Sequence, residues 1–160
     1  MPNVLFVCGA NRFRSVIAEE QFRQLLRAYP TAGMWQVESA GTWAEPGLPP
    51  LPQALKFCQK HEWSIENIRS REVNQKILAN ANLILTMTQG QHEALRLEFP
   101  LIKRKLFLLS EICESQKYDI SDPSETPDVS WEEVGSEVCA LVRNGFFRIC
   151  RLALSDAGKN

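Results

Sequence analysis

Hydrophobic positions along this chain form two kinds of pattern, short continuous runs and longer stretches with helical spacing. The first run, Val4 to Val7, is apolar throughout and has the length of a strand that is buried on both faces. From Ser15 onward, apolar residues recur at helical spacing until Pro30 ends the pattern. Because serine is a common N-cap residue, Ser15 is predicted to begin this helix.

The same alternation continues along the rest of the chain. Further strands are predicted over residues 34–40, 83–87 and 105–109, and helices over 53–61, 71–79 and 89–99. A last helix follows a capping box at Ser130 to Glu133. This order predicts a doubly wound α/β fold, in which helices flank a parallel sheet of about four strands. We expect one domain over residues 1–160, with a frayed tail from about Ser155.

Composition and charge limit the classes of partner. The chain is 44% hydrophobic and 23% charged, with a net charge of −1, so neither nucleic acid nor a membrane surface is an expected partner. Residues 1–3 lack the basic region of a targeting segment, and the run over residues 4–8 is too short for a signal-peptide core or a membrane span. We therefore expect a cytoplasmic protein.

The cysteines favour neither a zinc site nor a disulfide framework. They stand at positions 8, 58, 113, 139 and 150, no two are separated by two residues, and the chain has only two histidines. We expect no metal and no cofactor. Cys58, Cys139 and Cys150 fall in helical patterns and are expected to pack as small apolar side chains.

The segment between the first strand and the first helix has the pattern of an anion-binding loop. Cys8 ends the strand, and Arg14 stands at the start of the helix after five residues: Gly9, Ala10, Asn11, Arg12 and Phe13. Backbone N–H groups and the helix dipole converge at such a point, where a thiolate is favoured and arginine can bind two phosphoryl oxygens at once. The loop is predicted to place a Cys8 nucleophile under a bound phosphate. The other interpretation is a buried Cys8 that merely closes a core strand.

Thiolate attack on a phosphate ester needs a proton donor for the leaving oxygen. Asp122 is our candidate, because Pro123 favours an extended backbone at Asp122 and stiffens the loop that would place this acid over the pocket. On residue type alone, Asp119 and Asp128 compete for the same role.

Together these residues resemble the low-molecular-weight protein tyrosine phosphatase family over nearly the whole chain. Three motifs match in order and spacing: Val-Leu-Phe-Val-Cys-x5-Arg-Ser within residues 4–15, Ser-Ala-Gly-Thr at 39–42, and Asp122-Pro123. The resemblance implies a cysteine-dependent hydrolase of phosphomonoesters, with phosphotyrosine of a protein as the expected substrate and no metal or cofactor.

The resemblance also implies residue roles. Cys8 would form a phosphocysteine, Arg14 would bind the phosphoryl group, and Asp122 would act as general acid and then as base. Residues 9–13 and Ser15 would bind the substrate, with Trp43 as an aromatic face beside it. Asn11, Ser15 and Ser39 would support the loop.

Five positions depart from the family's usual pattern. Glycine stands at Gly9 and not at Ala10, which leaves the backbone path of the loop open because alanine disfavours positive φ. Phe13 replaces a second cysteine that protects the first, and Ile68 replaces a histidine that helps to hold the loop. Ser124 replaces an aromatic residue of the pocket wall, and Arg12 replaces a small residue. Arg12 lies either in solvent or beside anionic groups that flank the phosphate.

Three alternatives stay open at this stage. Arsenate reduction uses the same loop but needs further cysteines nearby, and only Cys58 and Cys113 could supply them. Phosphoarginine hydrolysis is neither supported nor excluded by Arg12. A non-catalytic phosphate-binding module would not need both Cys8 and Asp122.

Overall fold

The computed structural model describes residues 1–159 and contains a four-stranded parallel sheet. The strands are β1 (Asn3–Cys8), β2 (Gln36–Gly41), β3 (Leu83–Thr86) and β4 (Leu106–Leu108), in the order β2-β1-β3-β4. The helices are α1 (Arg14–Leu26), α2 (Pro52–Lys60), α3 (Gln75–Asn80), α4 (Gln89–Glu98), α5 (Leu109–Glu114) and α6 (Trp131–Ala157). Short 3₁₀ helices span Ala32–Met34 and Pro100–Lys105. The predicted doubly wound α/β fold is confirmed.

β1 lies between β2 and β3 in the sheet, and all six of its residues are buried. Alternate side chains point to opposite faces of the strand, so Val4 and Phe6 pack in the core with α1 and α6, whereas Leu5 and Val7 pack with α3 and α4. This two-sided burial explains why the strand is a continuous apolar run. Since all the strands are parallel, their carboxyl ends meet at one edge of the sheet, where Cys8 lies.

Several predicted boundaries were wrong. α1 begins at Arg14 and ends at Leu26, and the hydroxyl of Ser15 does not cap it, because that group makes other bonds described below. α3 begins at Gln75 and not at residue 71, since the Asn74 side chain accepts a hydrogen bond from the Ile77 amide and caps the helix there. β2 starts at Gln36.

The carboxyl-terminal half also differs from the prediction. α6 continues to Ala157, beyond the point at which the tail was expected to fray. The short helix α5, which follows β4 directly, was not predicted, because six residues are too few to show a helical repeat. No helix within residues 1–159 has the length and apolar character needed to cross a bilayer.

Candidate active site

Side-chain hydrogen bonds hold the loop after β1, and its backbone amides are left without acceptors among the described residues. Asn11 is its only residue with positive φ, at 58°, a conformation that asparagine tolerates better than most residues. Neither Gly9 nor Ala10 is in that region, so the shifted glycine does not strain the loop. The backbone N–H groups of residues 10–13 donate to no other part of the described chain. They are therefore available to an anion at the start of α1.

The Cys8 thiol is buried at the floor of this loop. Its Sγ lies 3.0 Å from the Ser15 hydroxyl oxygen. The Asn11 amide donates to that same oxygen over 2.9 Å, so the hydroxyl proton of Ser15 can point at the sulfur. A hydroxyl in this position stabilises a thiolate by donating to it.

Asn11 connects the loop to the next strand. Its amide nitrogen also donates to the Ser39 hydroxyl over 2.9 Å, and its oxygen accepts from the Arg71 backbone N–H over 3.0 Å. Ser39 in turn donates to the Glu19 carboxyl group. Asn11 thus joins Ser15 and Ser39, the two other residues predicted to support the loop, through hydrogen bonds to both hydroxyls.

Glu19 and Arg71 are parts of this support that the sequence did not indicate. Glu19 is buried on α1 and pairs with Arg23 at 2.6 Å. Burial raises the pKa of the Glu19 carboxyl, and the Arg23 charge opposes that shift. Arg71 donates from Nε to the Ser39 carbonyl over 3.0 Å and pairs with Glu38 at the same distance. Neither residue belongs to a local pattern, so no signal in the sequence pointed to them.

Arg14 and Asp122 meet at the mouth of the loop. The Arg14 guanidinium donates to the Ile120 carbonyl over 2.8 Å and lies 3.3 Å from the Asp122 carboxylate. The Asp122 side chain is 21% exposed, whereas that of Arg14 is 7% exposed. Of the three candidate acids, Asp122 is the one in contact with Arg14, whereas Asp119 accepts from the Gln89 amide.

Ser124, which stands where an aromatic residue was expected, orients this acid. The backbone N–H and hydroxyl of Ser124 donate to the second carboxylate oxygen of Asp122, over 3.0 and 2.7 Å. The Asp122 carboxyl group is thus held from both sides, by Arg14 and by Ser124.

Trp43 lies against the loop at Gly9. A Cβ atom at Gly9 would stand 2.6 Å from the indole Nε1, so the missing side chain makes room for the tryptophan. The Trp43 side chain is nevertheless 62% exposed, as expected for a residue at a pocket mouth. The Arg12 side chain is directed to Pro49, because its Nε donates to the Pro49 carbonyl over 2.9 Å.

The Phe13 side chain does not face the loop's concave side. It is buried and packs edge-on against Trp131, with ring centroids 4.9 Å apart, so only its backbone can contact an anion. Ile68 lines a separate cavity of about 360 Å³ together with Glu19 and Ser39. The support on that side of Ser39 comes from Glu19 and Arg71.

The remaining cysteines are held elsewhere in the core. Burial raises the pKa of the Cys58, Cys113 and Cys139 thiols to about 12. Cys113 lies on α5 against Gly145 of α6 and does not approach the loop. These positions give no support to a thiol relay of the arsenate reductase type. Within residues 1–159, no three His, Cys, Asp or Glu residues are grouped to hold a metal ion.

Comparison with known proteins agrees with this geometry. Residues 3–151 match the family model described as low molecular weight phosphotyrosine protein phosphatase. The chain is 33% identical to the low molecular weight protein-tyrosine-phosphatase Wzb of Escherichia coli K12 over 121 residues, which cover 76% of this chain and 77% of Wzb.

Two further relatives come from Bacillus subtilis. A protein-arginine-phosphatase is 26% identical over 121 residues, covering 76% of this chain and 79% of its own. The crystal structure of YfkJ superposes with a TM-score of 0.85 at 25% identity, covering 94% of this chain and 96% of its own. The chain therefore belongs to the low molecular weight phosphotyrosine protein phosphatase family and is a cysteine-based enzyme of that type.

Proposed function

We propose that this phosphatase hydrolyses phosphotyrosine in proteins through a phosphocysteine formed at Cys8. The observation that carries the proposal is the convergence of three groups on one loop. The Cys8 sulfur lies beneath the free loop amides, and Arg14 and Asp122 meet at 3.3 Å at the loop's mouth.

The first step uses all three groups. The Cys8 sulfur attacks phosphorus as the bond to the tyrosine oxygen breaks, and that oxygen takes the proton of the Asp122 carboxyl group. Arg14 and the loop amides bind the three other phosphoryl oxygens, on which charge is spread in the transition state. The Arg14 contact with Asp122 is long enough to yield to a phosphoryl oxygen, whereas its 2.8 Å bond to Ile120 fixes the guanidinium in place.

The second step reverses the role of Asp122. Its carboxylate takes a proton from a water molecule, whose oxygen attacks the phosphocysteine. Inorganic phosphate leaves and the Cys8 thiolate is restored. The hydroxyl of Ser15 lies 3.0 Å from that sulfur and stabilises it both before attack and as a leaving group.

The choice of tyrosine rests on the residues at the mouth. The exposed face of Trp43 beside Gly9 offers a stacking surface to a phenol ring. The phosphate loop itself carries a second cation at Arg12. A positive charge there disfavours the guanidinium of phosphoarginine and favours acidic residues next to a phosphotyrosine.

The first test is release of p-nitrophenol from p-nitrophenyl phosphate without added metal, at a pH of about 5 to 8. Wild type and Cys150→Ser should be active, because Cys150 lies on α6 away from the loop, while Cys8→Ser should lose turnover yet still bind inorganic phosphate. Turnover retained in Cys8→Ser would exclude the Cys8 thiol as the nucleophile.

The substrate is tested with one peptide sequence that carries either phosphotyrosine or phosphoarginine. We expect a higher kcat/KM for the phosphotyrosine peptide, and a preference for acidic flanking residues that Arg12→Ala removes. Faster release of inorganic phosphate from the phosphoarginine peptide would overturn the choice of substrate and leave the cysteine mechanism intact.

A further inference from the structure

An apolar groove lies between α1 and α6, away from the phosphate loop. Its volume is about 300 Å³, and aromatic and aliphatic side chains dominate its lining, among them Leu26, Tyr29, Met34, Trp35, Phe147 and Leu154. We call this surface the α1–α6 groove. None of the residues that line it carries a charge.

The side chains at its opening are far more exposed than a core would leave them. Phe147 is 72% exposed, Met34 is 60% exposed and Leu154 is 52% exposed. The Tyr29 ring is stacked on that of Phe146 with centroids 5.6 Å apart, so the floor is aromatic. A contiguous exposed apolar patch of this kind marks a surface that another molecule covers.

Three arginines are close neighbours, along α1 and α6, of residues that line the groove. Arg151 lies on the same stripe of α6 as Phe147 and Leu154, at the i+4 and i−3 positions, and Arg143 lies one turn before Phe147. Arg27 follows Leu26 at the end of α1. All three are exposed, and within residues 1–159 none of them forms an ion pair.

Two of these arginines have neutral partners only. Arg143 donates to the Gln21 amide oxygen over 3.3 Å, and Arg27 donates to that of Gln24 over 3.2 Å. Their charges are therefore not cancelled locally. A partner that covers the groove must bring apolar side chains for its floor and carboxylates for its rim.

This rim disfavours a second copy of the chain as the occupant. A twofold contact through the groove would bring each arginine cluster toward its own copy, and like charges across an interface cost binding energy. The residues that line the groove do not supply the carboxylates that would compensate.

The position of the groove suits a docking role. Pro2 lines it and precedes β1, whereas Cys8 ends that strand, so the groove lies at the opposite edge of the sheet from the phosphate loop. The two sites are about 20 Å apart along the six-residue strand. A segment bound in the groove thus leaves the loop open to a phosphorylated residue.

We infer that the α1–α6 groove binds an acidic amphipathic segment of a partner protein, with its apolar face on Phe147 and its carboxylates on the arginines. Arg151 is the main charge contact because it lies between Phe147 and Leu154 on the same face of the helix. This binding does not depend on the identity of the substrate at Cys8.

The test is fluorescence anisotropy with a labelled synthetic helix of about 15 residues, with Leu and Phe on one face and Glu on the other. A second peptide carries Lys in place of Glu. The proteins are wild type, Phe147→Ser, Arg151→Glu and, as the matched control, Leu101→Ser, which removes a 91% exposed leucine from another surface.

We expect the Glu peptide to bind wild type and Leu101→Ser at least about tenfold more tightly than it binds Phe147→Ser. Arg151→Glu should weaken binding of the Glu peptide and strengthen binding of the Lys peptide. All variants should hydrolyse p-nitrophenyl phosphate like wild type, which shows that they are folded.

Three results would overturn the inference. They are no binding of the Glu peptide, equal binding of the Glu and Lys peptides, and an equal loss in Leu101→Ser. Sedimentation velocity tests the alternative that a second copy of the chain occupies the groove. A wild-type dimer that Phe147→Ser dissociates would assign the groove to a second copy instead.

Discussion

Asn11 is the residue on which the geometry of the phosphate loop depends most. Its positive φ turns the backbone, and its side chain bonds Ser15, Ser39 and the Arg71 amide. Both properties are needed, because the turn exposes the loop amides and the side-chain bonds hold the turn. Asparagine combines tolerance of this conformation with an amide that donates and accepts.

Asp122→Asn should slow hydrolysis of esters with poor leaving groups much more than hydrolysis of those with good ones. An amide cannot donate the proton that a basic leaving oxygen needs, whereas p-nitrophenolate leaves without one. Measuring kcat/KM, which reports the steps up to release of the phenol, for a series of substituted phenyl phosphates checks this. Equal slowing across the series would exclude Asp122 as the acid, and Asp119→Asn serves as the matched control.

Glu19 should make stability fall as the pH rises from about 4.5 toward neutrality. Burial raises its pKa in the folded protein, so above the unfolded pKa the folded state binds more of this proton than the unfolded chain does. The stabilisation is present below the unfolded pKa and is lost as the pH passes through the folded value.

Urea unfolding over that pH range checks this sign. The free energy of unfolding should depend less on pH in Glu19→Gln than in wild type. Glu66→Gln, which removes an exposed carboxyl group, should behave like wild type. A Glu19→Gln curve parallel to that of wild type would contradict the assignment.

At the scale of elements, the site is formed where the loop after β1 meets the segment that follows β2. The Thr42 amide donates to the Cys8 carbonyl over 2.9 Å, and the Trp43 amide donates to that of Gly9 over 3.2 Å. The Leu51 amide donates to the Arg12 carbonyl over 3.0 Å. The two segments therefore behave as one unit, and changes in one should be felt in the other.

Gly9→Ala and Trp43→Ala should not have additive effects. A methyl group at Gly9 displaces the indole, so we expect a loss of about 1 kcal/mol, or fivefold, in kcat/KM for phenyl phosphates. In the Trp43→Ala background, the same methyl group should lower kcat/KM only slightly, because no indole remains to be displaced. Additive losses in the double variant would mean that the two residues act separately.

The sequence was informative where the pattern is local. The apolar run that forms β1 predicted its burial, and the five-residue spacing placed Cys8 and Arg14 on one loop. The start of α1 was missed because Ser15 bonds to Cys8 and Asn11. A hydroxyl that serves the site cannot also cap the helix.

Contacts between residues far apart in the chain could not be predicted from the sequence. The pairing of Arg14 with Asp122 joins residues far apart in the chain, so residue type alone could not separate Asp122 from Asp119 and Asp128. The partnership of Glu19 with Ser39 crosses from α1 to β2. Such contacts depend on how the elements pack, which a single sequence does not display.

At the scale of the whole molecule, the thiols are divided between the site and the core. Burial raises the pKa of the four other cysteines, to about 11 for Cys150 and about 12 for the rest. They stay protonated and react slowly with oxidants. Phe13 stands where a neighbouring cysteine would protect Cys8, so the Cys8 thiol has no disulfide partner within its own loop.

Excess peroxide should therefore inactivate the enzyme in a way that a thiol reductant does not fully reverse. Without a disulfide partner, the Cys8 sulfenic acid proceeds to the sulfinic acid. Activity after dithiothreitol, together with peptide mass analysis, checks this. Bound inorganic phosphate should protect the enzyme, and full recovery of activity would show that another cysteine reaches Cys8.

The parallel sheet also has a consequence for the order in which the enzyme becomes competent during synthesis. β1 and the phosphate loop are made before β2 and β3, the strands with which β1 pairs. Ile120 and Asp122, which hold and complement Arg14, follow later still. We therefore expect a nascent chain to carry the proposed Cys8 nucleophile without phosphatase activity until the segment around Asp122 has emerged.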